Sequence, residues 1–285
     1  MIIFKGNATL AYRDPACYFF GGSYHLFFTM SVKENGYMYN FVAKSKSADL
    51  KEWSAPEILT EKDCTKNYCS PGNIIPFGDE YLVCFSSYPM PVPFKENPYA
   101  DHTARLYFMW TRDFVNFSAP EKLFPKGARC SFEEEGRMID PYLLSKGNEL
   151  VLFFKQNGVS MSTSQDLKNW KFLGSVDGGE NACVIPYEDR YLLLHSPNNG
   201  IGFKISNDLE HWEVFGHTTL KQDQWEWASG RLTAAFAMEA KSCTDKKYII
   251  FFHGSKKDSE PETHGEASLA LCFTNDFKEF FYEIV

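Results

Sequence analysis

One short pattern recurs five times and constrains the architecture of this chain more than any other feature. It reads Ser47-Ala48-Asp49-Leu50-Lys51-Glu52-Trp53 and then Thr111-Arg112-Asp113-Phe114-Val115-Asn116-Phe117. It returns as Ser164-Gln165-Asp166-Leu167-Lys168-Asn169-Trp170, Ser206-Asn207-Asp208-Leu209-Glu210-His211-Trp212 and Thr274-Asn275-Asp276-Phe277-Lys278-Glu279-Phe280. Ser, Thr and Asp bond their own backbone in turns. The Leu/Phe and Trp/Phe positions are then free to plug the gap between packed sheets. Internal repeats of this period mean propellers or solenoids.

Ahead of each copy stands a tight turn and a strongly apolar strand. The strands are Tyr24 to Phe28, Tyr81 to Phe85, Leu150 to Phe154, Tyr191 to His195 and Tyr248 to Phe252. Their turns carry Gly21-Gly22, Gly78-Asp79, Lys146-Gly147-Asn148, Glu188-Asp189 and Asp245-Lys246, all hairpin signals. Another strand precedes each hairpin, beginning near Asp14, Ser70, Asp140, Glu180 and Arg231. A third strand follows, as in Arg105 to Trp110, Gly158 to Ser162 and Ala267 to Phe273, and the repeat leads into a fourth. The expectation is an all-β, five-bladed β-propeller with four-stranded antiparallel blades around a central channel. It forms one domain over residues 1–285. Helices are expected to be rare, because no window holds a helical period. The repeats vary in length, and the surplus falls in loops, chiefly Met90 to His102 and His217 to Gly230.

Composition narrows the partners. The net charge of −8 gives nucleic acid and anionic membrane nothing to attract, and it suits a neutral ligand. No apolar run approaches the roughly 18 residues of a membrane span, and no signal peptide is visible, so a cytoplasmic location is expected. The eight cysteines match no zinc signature, and Cys17, Cys84, Cys183 and Cys272 fall inside apolar runs as reduced, buried thiols. Cys64 and Cys69 are near enough in sequence to pair. Aromatic residues reach 16%, which fits pleated strands first and a sugar-stacking surface second.

The first strand of each propeller blade lines the channel, so its leading residues meet at one place. Blade one offers Arg13-Asp14-Pro15, blade three Ile139-Asp140-Pro141 and blade four Glu180-Asn181-Ala182. Three converging carboxylates repel one another, and that cost has a use when one of them must keep a proton. Glycoside cleavage has this need: one carboxylic acid protonates the departing oxygen while a carboxylate activates water or attacks carbon.

On these motifs, in this blade order and over nearly the whole chain, the sequence resembles glycoside hydrolase family 43 and its five-bladed relatives. The resemblance implies Asp14 as general base, Asp140 as the residue that modulates the acid, and Glu180 as general acid. It further implies an inverting glycosidase acting on small pentose-containing oligosaccharides, of the arabinofuranosidase or xylosidase kind. A retaining fructosidase, a phosphorylase of the mannoside-cleaving propeller type and an inactive sugar-binding propeller stand as alternatives. The chain departs from the family pattern in blade two, which reads Cys69-Ser70-Pro71. It departs again in blade five, where Gly230-Arg231-Leu232-Thr233 has no histidine. No cofactor is required, and the sequence supplies no clear ligand set for the channel calcium that many members hold. Candidate substrate contacts are Arg13, Phe28, Phe85, His195, Trp225, Trp227 and Arg231, with Phe154 in the equivalent place on blade three. His253 is expected in the core. The run Glu133-Glu134-Glu135 is expected to be solvated.

Overall fold

A computed structural model describes residues 1–62, 66–89, 103–259 and 266–283. The chain opens with β1 (Ile2–Phe4). Blade one follows as β2 (Leu10–Phe20), β3 (Ser23–Glu34), β4 (Tyr37–Ser47) and β5 (Glu57–Ile58). Blade two is β6 (Lys66–Phe77), β7 (Glu80–Pro89), β8 (Arg105–Thr111) and β9 (Glu121–Lys122). After one helical turn, α1 (Phe132–Glu135), comes blade three: β10 (Ile139–Lys146), β11 (Glu149–Lys155), β12 (Val159–Ser164) and β13 (Lys171–Val176). Blade four is β14 (Glu180–Tyr187), β15 (Arg190–Ser196), β16 (Ile201–Ser206) and β17 (Glu213–Thr218). Blade five is β18 (Arg231–Glu239), β19 (Tyr248–Ser255) and β20 (Ser268–Thr274), with β21 (Phe280–Phe281) on its edge. Each blade is an antiparallel meander, which is the five-bladed propeller that the repeat predicts.

The ring closes in a way the repeat does not announce. β20 pairs on its outer side with both β21 and β1, so the first strand of the chain completes the last blade. Across this seam Tyr12 N–H donates to the Ala267 carbonyl at 2.9 Å. The Tyr24 hydroxyl accepts from Lys241 N–H and Ser242 N–H, each at 3.0 Å. That clasp explains a departure from expectation. The fifth hairpin is not a tight turn at Asp245-Lys246 but a longer loop over residues 240–247, held against blade one.

The heptapeptide builds the contacts between blades. In each copy the Asp carboxylate accepts two backbone N–H groups, for example from Glu210 and His211 to Asp208, both at 2.8 Å. These bonds hold Asp113 at about 2 and depress the other four carboxyls as well. The leading hydroxyl caps the apolar residue, as when Phe114 N–H donates to Thr111 Oγ1 at 2.9 Å. The turn drives that apolar residue into the left-handed region: Leu50, Phe114, Leu167, Leu209 and Phe277 have φ of 64°, 57°, 63°, 76° and 60°. Such backbone costs energy for a residue with a Cβ. Burial of the side chain offsets it, since all five are buried. Phe114, from blade two, stacks on Phe20 of blade one at 4.6 Å and meets Tyr18 and His25 there as well. Phe277, from blade five, lies 5.5 Å from Tyr187 of blade four.

Other readings resolve plainly. Cys17, Cys84, Cys183 and Cys272 are buried free thiols, as is Cys69, whereas Cys64 lies outside the described residues. The insertion Met90 to His102 also lies outside them. Glu133 and Glu134 are solvated, but Glu135 is buried, where it accepts from Arg105 at 2.8 Å and Lys122 at 2.7 Å. An apolar environment makes such a carboxylate costly unless paired, so this glutamate anchors the approach to blade three.

Candidate active site

The innermost strand of every blade carries a bulge, and the site is built from the five bulges. In blade one, Arg13 pairs with Thr29 and Ala16 with Phe27, leaving one extra residue on β2. The same excess occurs in blades three, four and five, and blade two carries one residue more. Each bulge sets one residue at positive φ: Asp14 (50°), Ser70 (49°), Asp140 (54°), Asn181 (52°) and Ala234 (53°). Asp14 therefore sits inside its strand, where the sequence reading expected a strand start, whereas Asp140 is the second residue of β10, as expected. In blade one the ladder runs on through Leu10, because a bulge bends a strand without ending it. An axial cavity is lined by these five residues and those that follow them. Gly72 is needed for its wall, since a Cβ there would lie 1.3 Å from the Pro141 carbonyl oxygen.

Each bulge N–H requires a buried acceptor, and the preceding blade supplies it. Asp14 N–H donates to His253 Nδ1 at 3.1 Å, Ser70 N–H to Thr29 Oγ1 at 2.7 Å and Asp140 N–H to Ser86 Oγ at 2.9 Å. Ala234 N–H donates to Ser196 Oγ at 2.8 Å. Asn181 N–H goes instead to Asp140 Oδ2 at 3.2 Å.

The carboxylates behave differently. Asp14 is buried, which alone would raise its pKa. Arg13 and hydroxyl bonds from Thr29 (2.9 Å) and Ser70 (3.3 Å) outweigh burial and hold it below the usual carboxylate range. Asp140, equally buried, is pushed up to about 7, by burial first, then by the charges of Glu180 and Asp14. The structure thus brings Asp14 and Glu180 each within electrostatic reach of Asp140. Glu180, the residue before its bulge, is not part of the cavity wall and keeps 37% of its side chain exposed, with Arg231 at 3.5 Å. Its approach is tight, because a Cβ on Gly179 would lie 1.8 Å from the Ser196 carbonyl oxygen. Asn181 holds the blade-four bulge at a φ of 52°. Asn is among the few residues with a side chain that tolerate this conformation.

Among the substrate-contact candidates, Arg13 and Arg231 reach the site. Arg13 is buried with its guanidinium 4.0 Å from Asp14 Oδ2. Arg231 contacts Glu180 and the Pro197 carbonyl. The rest do not line the cavity. Phe28 and Phe85 are fully buried, the first against Phe4 and Tyr12, the second against Tyr68 and Tyr107. Phe154, equally buried, packs near Phe172. His195 packs against Gly202 and accepts from Gly179 N–H at 3.0 Å, and burial takes it to about 4. The error is a register slip of one, which in a strand reverses the face. The next residue along each apolar run, Thr29, Ser86, Lys155, Ser196 and His253, is the one paired with the residue just before the bulge.

His253 is accordingly a site residue and not core filling. Burial, together with Arg13 and Arg231, lowers it to about 3. It is neutral, with its Nδ1 lone pair turned to Asp14 N–H. Trp225 and Trp227 stack on each other at 5.3 Å, and Trp225 lies on Phe252 at 5.9 Å. They anchor two 3₁₀ turns, Gln222–Gln224 and Glu226–Ala228, to blade five. Among the described residues no cluster of three or more His, Cys, Asp or Glu side chains is placed to hold a metal ion.

No protein-family model and no curated protein matches the sequence. Solved structures do match in fold. A family 117 glycoside hydrolase from the marine bacterium Zobellia galactanivorans superposes with a TM-score of 0.69 at 13% identity, over 94% of this chain and 86% of that one. The α-L-arabinofuranosidase of Podospora anserina, solved with cellotriose, gives 0.68 at 13% identity over 95% and 94%. A family 43 enzyme (GH43_1) of Xanthomonas citri, solved with xylotriose, gives 0.62 at 12% identity over 95% and 90%. The resemblance drawn from the motifs is thus matched in the fold.

Proposed function

We propose that this chain is a glycoside hydrolase using general acid and base catalysis, with Asp14 as base, Glu180 as acid and Asp140 as the group that tunes them. The observation that carries the reading is that Asp14 and Asp140, from two blades, line one axial cavity while Glu180, from a third, acts on Asp140 from beside it, with the two buried aspartates pushed in opposite directions. Asp14, held ionised, is suited to take a proton from water as the water oxygen attacks the anomeric carbon. Glu180, partly open to solvent, is suited to give its proton to the departing oxygen. Asp140, raised by burial and by the charges of Glu180 and Asp14, is the group between base and acid suited to tune them. Arg231 is placed to orient Glu180. The proposed substrate is a small pentose-containing oligosaccharide cleaved with inversion. The arabinofuranosidase and the xylotriose complex among the similar folds support that class.

The test is turnover of 4-nitrophenyl α-L-arabinofuranoside, β-D-xyloside and β-fructoside by the wild type and by Glu180→Gln. Activity on at least one pentoside, with a loss of at least ~10²-fold in the variant, is expected for removal of a general acid. Proton NMR of the first-formed anomer distinguishes inversion from retention. Sugar binding without turnover across the panel would leave only a binding propeller.

A further inference from the structure

The five bulges allow each blade to be compared with the others, and one contact breaks the pattern. Between blades one and two, Thr29 performs two tasks: its hydroxyl oxygen accepts from Ser70 N–H at 2.7 Å and its proton goes to Asp14 Oδ2 at 2.9 Å. Between blades three and four the corresponding residue is Lys155, which pairs with Ile139 just before Asp140. An ammonium has three donors and no acceptor. Lys155 cannot receive Asn181 N–H, and its Nζ lies 3.4 Å from the Gly178 carbonyl instead. Asn181 N–H is left to bond Asp140 directly.

We propose that Thr29 and Lys155 are positioning residues that make the two buried aspartates unequal. Threonine relays its neighbour's N–H into a hydroxyl bond to Asp14, whereas lysine forms no relay and leaves Asp140 with Asn181 N–H and the Ser70 hydroxyl from the preceding blade. The groups facing Asp140 are Asp14 from β2, Cys69 and Ser70 from β6, and Glu180 and Asn181 from β14. Asp14 faces Arg13 on its own strand, Thr29 from β3, Ser70 from β6, Asp140 from β10 and His253 from β19. This wiring adds to the burial and charge effects that set the two aspartates apart, because a hydroxyl bond favours the charged carboxylate. The catalytic consequence rests on the hydrolase reading, but the wiring itself does not.

The experiment compares the full-length wild type with Lys155→Thr and Lys155→Met, following the Asp140 side-chain carboxyl by carbon NMR as pH is varied. Lys155→Thr restores a relay and should make Asp140 titrate about one pH unit lower. Lys155→Met removes the cation without supplying a hydroxyl, and Asp140 should titrate no lower than in the wild type. The proposal is overturned if both variants move Asp140 alike, or if Lys155→Thr leaves it in place. In an active enzyme the pH profile of kcat/KM should move with Lys155→Thr and not shift downward with Lys155→Met. If no glycoside is turned over yet the NMR titrations behave as stated, the wiring stands and the hydrolase reading fails.

Discussion

Asp140 should cost the fold stability, and the cost should depend on pH in a defined direction. Its carboxyl rises from an ordinary 3.8 to about 7 on folding. Between those values the folded chain holds a proton that the unfolded chain has released. Stability must therefore fall as pH rises through this window and level off above it. A pKa rise of this size corresponds to roughly 4 kcal/mol as an upper figure. The amide of an Asp140→Asn variant never becomes charged, yet its oxygen can still accept from Asn181 N–H. The variant should match the wild type near pH 4.5 and exceed it at pH 8. The gap should widen by up to about 1.4 kcal/mol per pH unit in between. Asp14 acts in the opposite sense, since its depressed carboxyl adds stability that is lost as pH falls below the ordinary carboxylate range. That loss lies outside the window tested. Urea unfolding of both proteins at pH 4.5, 6, 7 and 8 reads the gap directly. A gap that does not change with pH would refute the reasoning, as would a variant that loses ground to the wild type at pH 8.

Phe114→Ala empties the plug between blades one and two and should lower unfolding free energy by about 3–5 kcal/mol, measured by urea denaturation. A loss below about 1 kcal/mol would mean that the blades repack without it. Trp227→Ala should lower the melting temperature while leaving KM for a cleaved pentoside within about two-fold, since the indole anchors a loop and does not line the cavity. A tenfold rise in KM would return it to the substrate site.

The architecture could be read from the sequence because it is written in local chemistry. Each heptapeptide carries its own turn bonds and its own plug, so five copies declare five blades. The ring closure was not legible, because Ile2 to Phe4 belongs to no repeat and finds its partner, Leu269 to Ala270, at the far end of the chain. Asp14, Asp140 and Glu180 could be singled out because each stands near the start of a blade's first strand, the strand that lines the channel. Their supporting shell was missed through the choice of Phe28, Phe85 and His195 over Thr29, Ser86 and Ser196. An apolar run identifies a strand, but it does not say which of two adjacent residues faces the axis until the pairing register is known. His253 was hidden for the same reason, as a polar end to the run Tyr248 to Phe252.

The clasp between the first and last blades also has a consequence in time. Asp14 is synthesised 239 residues before His253, which receives its backbone N–H. The strand that completes the ring must wait for β20 before it has anything to pair with. A chain cut before β20 can thus carry all three carboxylates without closing the ring around them.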